Sequence, residues 1–179
     1  MSRIPGVTRE ALSSEHQPIW DRITAHRSGA GGPYSVIMHS PVLADRLAAV
    51  EDYFRFDSSL PTVDKELVIL AVARDMGAHY PWTRHERRAR EANMRSELLE
   101  ILRANGPVDQ MTPRERLLVE MARGLVREGM LSEELFARAK GELSAEHIVE
   151  TVALTGHYTT IGYVANAFDL KAPDGSRTF

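Results

Sequence analysis

The chain has 179 residues, a net charge of −3 and a pI near 6.2, with 43% apolar and 26% charged residues. That length suits one domain with a sizeable core, and the acidic balance argues against nucleic acid as a partner, because phosphate binding normally leaves a basic surface. With no cysteine there is no disulfide framework, no thiolate nucleophile or metal ligand, and no dithiol redox centre.

Residues 1–29 read as an N-terminal arm, with Pro5 and Gly6, leading into a short helix over residues 13–26 that sets Ile19, Trp20 and Ile23 on one side. The arm lacks a basic segment followed by an apolar core, and no apolar run approaches the roughly 20 residues of a bilayer span. A cytoplasmic protein without membrane contact is therefore expected. Residues 28–34 are glycine-rich, SGAGGPY, but no strand precedes them and no Lys-Ser/Thr follows. The stretch predicts a mobile loop rather than a phosphate cradle.

Pro41 opens an amphipathic helix with Leu43, Leu47, Val50 and Phe54 at helical spacing, and residues 56–61 read as the break after it. The next helix, over residues 62–76, is hydrophobic around much of its girth, so it is buried in the core or between subunits. Glu66 lies one turn into it. Gly77 suits a left-handed helix end, Pro81 suits the first position of the following helix, and Asn93 can end that helix left-handed. Within it, Arg84, His85, Arg87, Arg88 and Arg90 interleave with Glu86 and Glu91. That pattern reads as a solvated face with internal ion pairs.

A short helix with Leu98, Leu99, Ile101 and Leu102 stops at Asn105-Gly106-Pro107. Thr112-Pro113-Arg114-Glu115 is a capping box with proline at the first helical position, and that helix ends at Gly129. Ser132 caps another helix, and Ser144 starts a long last one reaching Phe168. The tail from residue 171 is polar. No window alternates for long, so the expectation is an all-α, single-domain bundle of seven or eight helices, with residues 30–170 as the domain and 171–179 as a tail.

The residues with chemistry cluster at one hairpin. A carboxyl among aliphatic side chains is desolvated, and an imidazole in the first turns of a helix feels the positive end of its dipole. Glu66 and His85, brought together across the turn, would form an acid and a base suited to proton transfer at carbon. Tyr80 and Trp82 could wall a small planar ring, and Arg84 or Arg46 could pair with a substrate carboxylate. His157 and Tyr158, in the apolar last helix, could reach the same pocket. Plainer readings stand beside these: Glu66 paired with Arg74 or Arg123, a structural His85, packing roles for Tyr80 and Trp82, and an exposed His79. His79 and His85 are six apart across a proline, which does not make a metal pair on one helix face.

Glu66, Ala78 twelve residues on, Pro81 and then His85 resemble the carboxymuconolactone decarboxylase and alkylhydroperoxidase D superfamily. Its peroxidase branch carries a glutamate, a Cys-x-x-Cys and a histidine four residues beyond the second cysteine. Here Glu66 and His85 fill the outer slots, and Ala78 and Pro81 stand where the cysteines would be. GPYSVIMHSP, RFDSSLP, AHYPWTRH and LTGHYTTIGYVANAF are similar to stretches of the cysteine-free members, so the resemblance spans roughly residues 30–170. It implies an alkylhydroperoxidase D-like helical protomer, assembly as a homotrimer or homohexamer, and sites near subunit contacts. It also implies a cofactor-free decarboxylase, or a related isomerase, of a small unsaturated or lactone carboxylic acid, using Glu66 and His85. A thiol peroxidase cycle cannot run without the cysteines. The alternative is a catalytically inactive member kept for binding or scaffolding.

Overall fold

The helix that carries Glu66 is the axis of the molecule. In the computed structural model, which describes residues 2–25, 27, 31–172, 176, 178 and 179, the described residues form nine α-helices and no strand. These are α1 (Gln17–Ala25), α2 (Pro33–Ile37), α3 (Pro41–Asp52), α4 (Thr62–Asp75), α5 (His79–Glu91), α6 (Ser96–Arg103), α7 (Pro113–Glu128), α8 (Glu133–Glu142) and α9 (Ala145–Ala167). Every residue of α4 from Asp64 to Ala73 is buried, and α5, α7 and α9 pack around it. An apolar girth leaves α4 no solvent face, so it must be surrounded.

Local signals set most boundaries. Thr112 accepts from the Glu115 N–H while the Glu115 side chain accepts from the Thr112 N–H, completing the capping box of α7. Ser132 and Ser144 cap α8 and α9 through their hydroxyls. Gly77, Asn93 and Gly129 take positive φ just beyond α4, α5 and α7.

Four expectations change. The helix count is nine because Pro33–Ile37 forms α2 inside what reads as loop, while residues 28–30 lie outside the described residues. Helix α5 begins at His79, so Pro81 is its third residue, where an N–H has no intrahelical acceptor to lose. Helix α3 does not break at Phe56 but widens into a π-helical turn over Tyr53–Asp57. That turn is fastened from two sides. Lys65 Nζ donates to the Phe54 carbonyl at 2.8 Å, and Tyr53 and Ser58 both donate to Glu150 on α9.

The fourth change concerns the face of α3. Its buried side is Ala44, Ala48 and Glu51, whereas Leu43 and Val50 are 51% and 43% exposed. The small residues let α3 approach the bundle closely, and the large ones are left outside. The two ends of the chain fold back on it. Arg3 and Val7 donate backbone N–H groups to Phe168 and Ser35, and Phe179 stacks on His79 with ring centres 4.4 Å apart.

Candidate active site

The first turn of α4 buries three charged residues in a row, Asp64, Lys65 and Glu66, and each finds a partner on a different element. Asp64 pairs with Arg114 at 2.7 Å and Lys65 with the π turn. Glu66 reaches across the hairpin to α5, where His85 Nδ1 lies 2.7 Å from Glu66 Oε2. Neither Arg74 nor Arg123 takes Glu66: Arg74 donates to the Arg103 carbonyl, and Arg123 faces Asp75. A carboxylate accepting from Nδ1–H fixes the imidazole ring and leaves Nε2 to exchange a proton with a ligand.

Two cavities flank this pair. The first, about 400 Å³, is walled by His85 with Arg27, Arg55, Arg84, Arg87 and Arg88, and by Tyr34, Glu51, Tyr80 and Tyr158. The second, about 610 Å³, is walled by Glu66 with Phe54, Phe56, Val63, Ile69 and Leu154. Arg55, Arg88 and Tyr158 border both. The His85–Glu66 bond therefore lies in the partition between a cationic chamber and a mostly apolar one. Both volumes fall within the range of small-molecule sites.

Of the residues picked out by sequence, Glu66, His85, Tyr80, Arg84 and Tyr158 meet here. Tyr158 sets its ring edge-on to His85 at 4.9 Å and to His157 at 5.3 Å. His157 is buried behind it, 4.0 Å from Glu51. Trp82 lies elsewhere: it is fully buried, donates to Glu86 at 3.1 Å and packs beside Arg103 and Phe179. Arg46 is 79% exposed beside Asp45 and lines neither cavity. His79 is exposed beneath Phe179. The basic run of α5 is split. Arg87 and Arg90 make helical pairs with Glu91 and Glu86, yet Arg84, Arg87 and Arg88 also face the cationic chamber.

Sequence reasoning missed Arg27, Tyr34, Glu51, Arg55 and Arg88. The one available signal was Glu51, a carboxylate three residues from Ala48 and three before Phe54 on the buried side of α3. Burial opposes its charge, but Arg27, His157, His85 and Tyr34 together hold its carboxyl below the ordinary range. Burial pushes His157 down, against the pull of Glu51, and pushes the hydroxyls of Tyr34 and Tyr158 well up. Among the described residues no three His, Asp or Glu side chains are grouped to hold a metal ion, and no helix is long and apolar enough to cross a membrane.

Residues 41–124, which carry both Glu66 and His85, match the model of the carboxymuconolactone decarboxylase family. No curated protein sequence matches the chain, but solved structures share its fold. An uncharacterised peroxidase-related protein with an alkylhydroperoxidase D core from Ralstonia eutropha aligns at a TM-score of 0.80 and 16% identity, over 97% of this chain and 93% of that one. A peroxidase-related protein from Silicibacter sp. aligns at 0.72 and 16%, over 92% and 88%. A debrominase in complex with 2,3,4-tribromopyrrole aligns at 0.77 and 14%, over 96% and 91%. At these identities the likeness concerns the fold alone, and one fold can host many chemistries.

Proposed function

We propose that this protein is a member of the carboxymuconolactone decarboxylase family and acts as a cofactor-independent decarboxylase, or a related proton-shifting isomerase, of a small unsaturated or lactone carboxylic acid. The observation that carries the proposal is the 2.7 Å His85–Glu66 bond in the wall of an arginine-lined chamber. The arginines supply the charge that a carboxylate needs on leaving water. His85 supplies the proton, and Glu66 holds the imidazole in one orientation and supports its cation.

In decarboxylation of a β-keto or vinylogous acid, the bond to the carboxylate carbon breaks and carbon dioxide leaves. The electron pair passes into the adjoining carbonyl as an enolate. Protonated His85 then delivers a proton to carbon through Nε2 and is reprotonated from water. The isomerase version uses the same group to take a proton from one carbon and return it to another. Neither needs a thiol, and the chain has none.

The test is carbon dioxide release and solvent deuterium uptake on a panel of lactone and β-keto acids that includes carboxymuconolactone. Turnover lost in both His85→Ala and Glu66→Ala, with helicity and oligomer size kept, supports the reading. Binding without turnover or exchange across the panel favours the non-catalytic binding member instead.

We also propose self-assembly as a homotrimer or homohexamer. Val42, Leu43, Val50 and Tyr53 on α3 and its π turn, with Val149 and Val152 on α9, are exposed apolar side chains, and Val50, Tyr53 and Val149 border a groove of about 400 Å³. Such a face is costly to leave in water. Sedimentation equilibrium reads the assembly directly, and a monomer at micromolar concentration would refute it.

A further inference from the structure

Glu51 is buried in the wall of the cationic chamber, and its two oxygens are used differently. Oε1 is held by Arg27 Nη2 at 3.3 Å and faces Arg55 at 4.0 Å. Oε2 looks toward His157 Nε2, also at 4.0 Å. That gap is too long for a hydrogen bond. His157 Nε2 is fully buried on a side chain only 2% exposed, and among the described residues it has no hydrogen-bond partner. Arg27 Nε and the Tyr34 hydroxyl, on two of the side chains that hold the Glu51 charge, are likewise buried without completed bonds. A buried polar atom left in this state calls for a partner.

The spacing says what that partner is. One oxygen placed about 2.7–2.8 Å from both Glu51 Oε2 and His157 Nε2 subtends roughly 90–100°, an ordinary angle for a hydroxyl between two partners. Glu51 Oε2 can only accept, so the bridging oxygen must carry a hydrogen. Nε2 of a neutral imidazole can donate back to it. A carbonyl or ether oxygen can accept from Nε2–H but has no hydrogen to give Oε2. We propose that Glu51 and His157 form a hydroxyl-recognising subsite, so that the chamber selects hydroxy or enol carboxylates over the same acids lacking that group. In the free protein a water takes the same place. The subsite rests on the reading of this chamber as a carboxylate site. Arg84 and Arg88 hold the acid, and Glu51 with His157 holds the hydroxyl.

The test has two arms. Titration calorimetry compares malate with succinate, which differ by one hydroxyl, on the wild type, Glu51→Gln and His157→Phe. The expected result is malate tighter by about tenfold or more on the wild type, falling to within about threefold in both variants. Arg27 keeps its Asp52 partner at 2.8 Å in each, and circular dichroism checks folding. Equal binding of the two acids to the wild type overturns the proposal. Failure of both to bind refutes the carboxylate chamber rather than the subsite, and the second arm then decides alone. In a crystal structure of the free protein, an ordered oxygen within 3.2 Å of both Oε2 and Nε2 supports the subsite. Direct contact between those two atoms, with nothing between them, overturns it.

Discussion

The His85–Glu66 bond can be weighed without a substrate. Its side chains are 7% and 9% exposed and the contact is 2.7 Å, so both groups have given up most of their water for each other. Glu66→Leu removes the acceptor and leaves a buried Nδ1–H unsatisfied, a loss of about 1–3 kcal/mol. His85→Leu strands the carboxyl, and breaking a buried pair from one side costs about 3–5 kcal/mol. Replacing both together puts two apolar groups of similar bulk beside Ile69 and Leu154, which costs no more than about 2 kcal/mol because nothing polar is left behind. The double mutant is therefore more stable than the sum of the singles by at least about 2 kcal/mol. Urea unfolding at one fixed protein concentration, with oligomer size checked for each variant, measures the cycle. Additivity within about 0.5 kcal/mol would show two independent residues and remove the physical basis of the acid–base pair.

Further outcomes follow from the surroundings. Gly32→Ala meets a backbone at φ 65°, ψ −141° and a new Cβ 2.2 Å from the Tyr80 hydroxyl oxygen. It should lose about 1–3 kcal/mol for the backbone alone, and Tyr80→Ala in the same background should recover only the steric part in thermal unfolding. Trp82→Phe loses the donor to Glu86 and some core volume, and should lower stability by about 2–4 kcal/mol while leaving ligand affinity unchanged by calorimetry. The folded His157 has a pKa below its ordinary 6.5, so the unfolded chain binds more protons in the interval between. Its contribution is full above 6.5 and is lost as pH falls through the lower folded value. Urea midpoints should fall as pH drops below 6.5, and His157→Phe should flatten that limb. The carboxylates held low, Glu51 and Glu86, account for a separate loss below about 4.5, through the same linkage.

Much of the architecture was legible because its causes are local. A 3.6-residue apolar period, a Thr-Pro-x-Glu box and a glycine or asparagine after a helix act within four residues of themselves, so α4, α7, α9 and the ends at Gly77, Asn93 and Gly129 could be read directly. The Glu66–His85 pair was within reach for a similar reason. Only a tight turn separates the helices that carry it, so the two residues have few other places to point.

What tertiary structure alone decided lies where several surfaces compete for one residue. Leu43 and Val50 carry the apolar period of α3, yet α3 buries Ala44, Ala48 and Glu51, because close helix approach favours small side chains and Arg27 offsets the burial of a carboxylate. Trp82, open by sequence to a pocket-wall or a packing role, went to the core, because Glu86 accepts from its indole N–H and Arg103 lies over its ring. The cationic chamber draws Glu51 from α3, Arg55 from its π turn, Arg88 from α5, Tyr158 from α9 and Arg27 from the turn after α1. No periodicity links residues so far apart in the chain. Only the packing of α5 and α9 on α4, and of α3 on α9, brings their charges to one place.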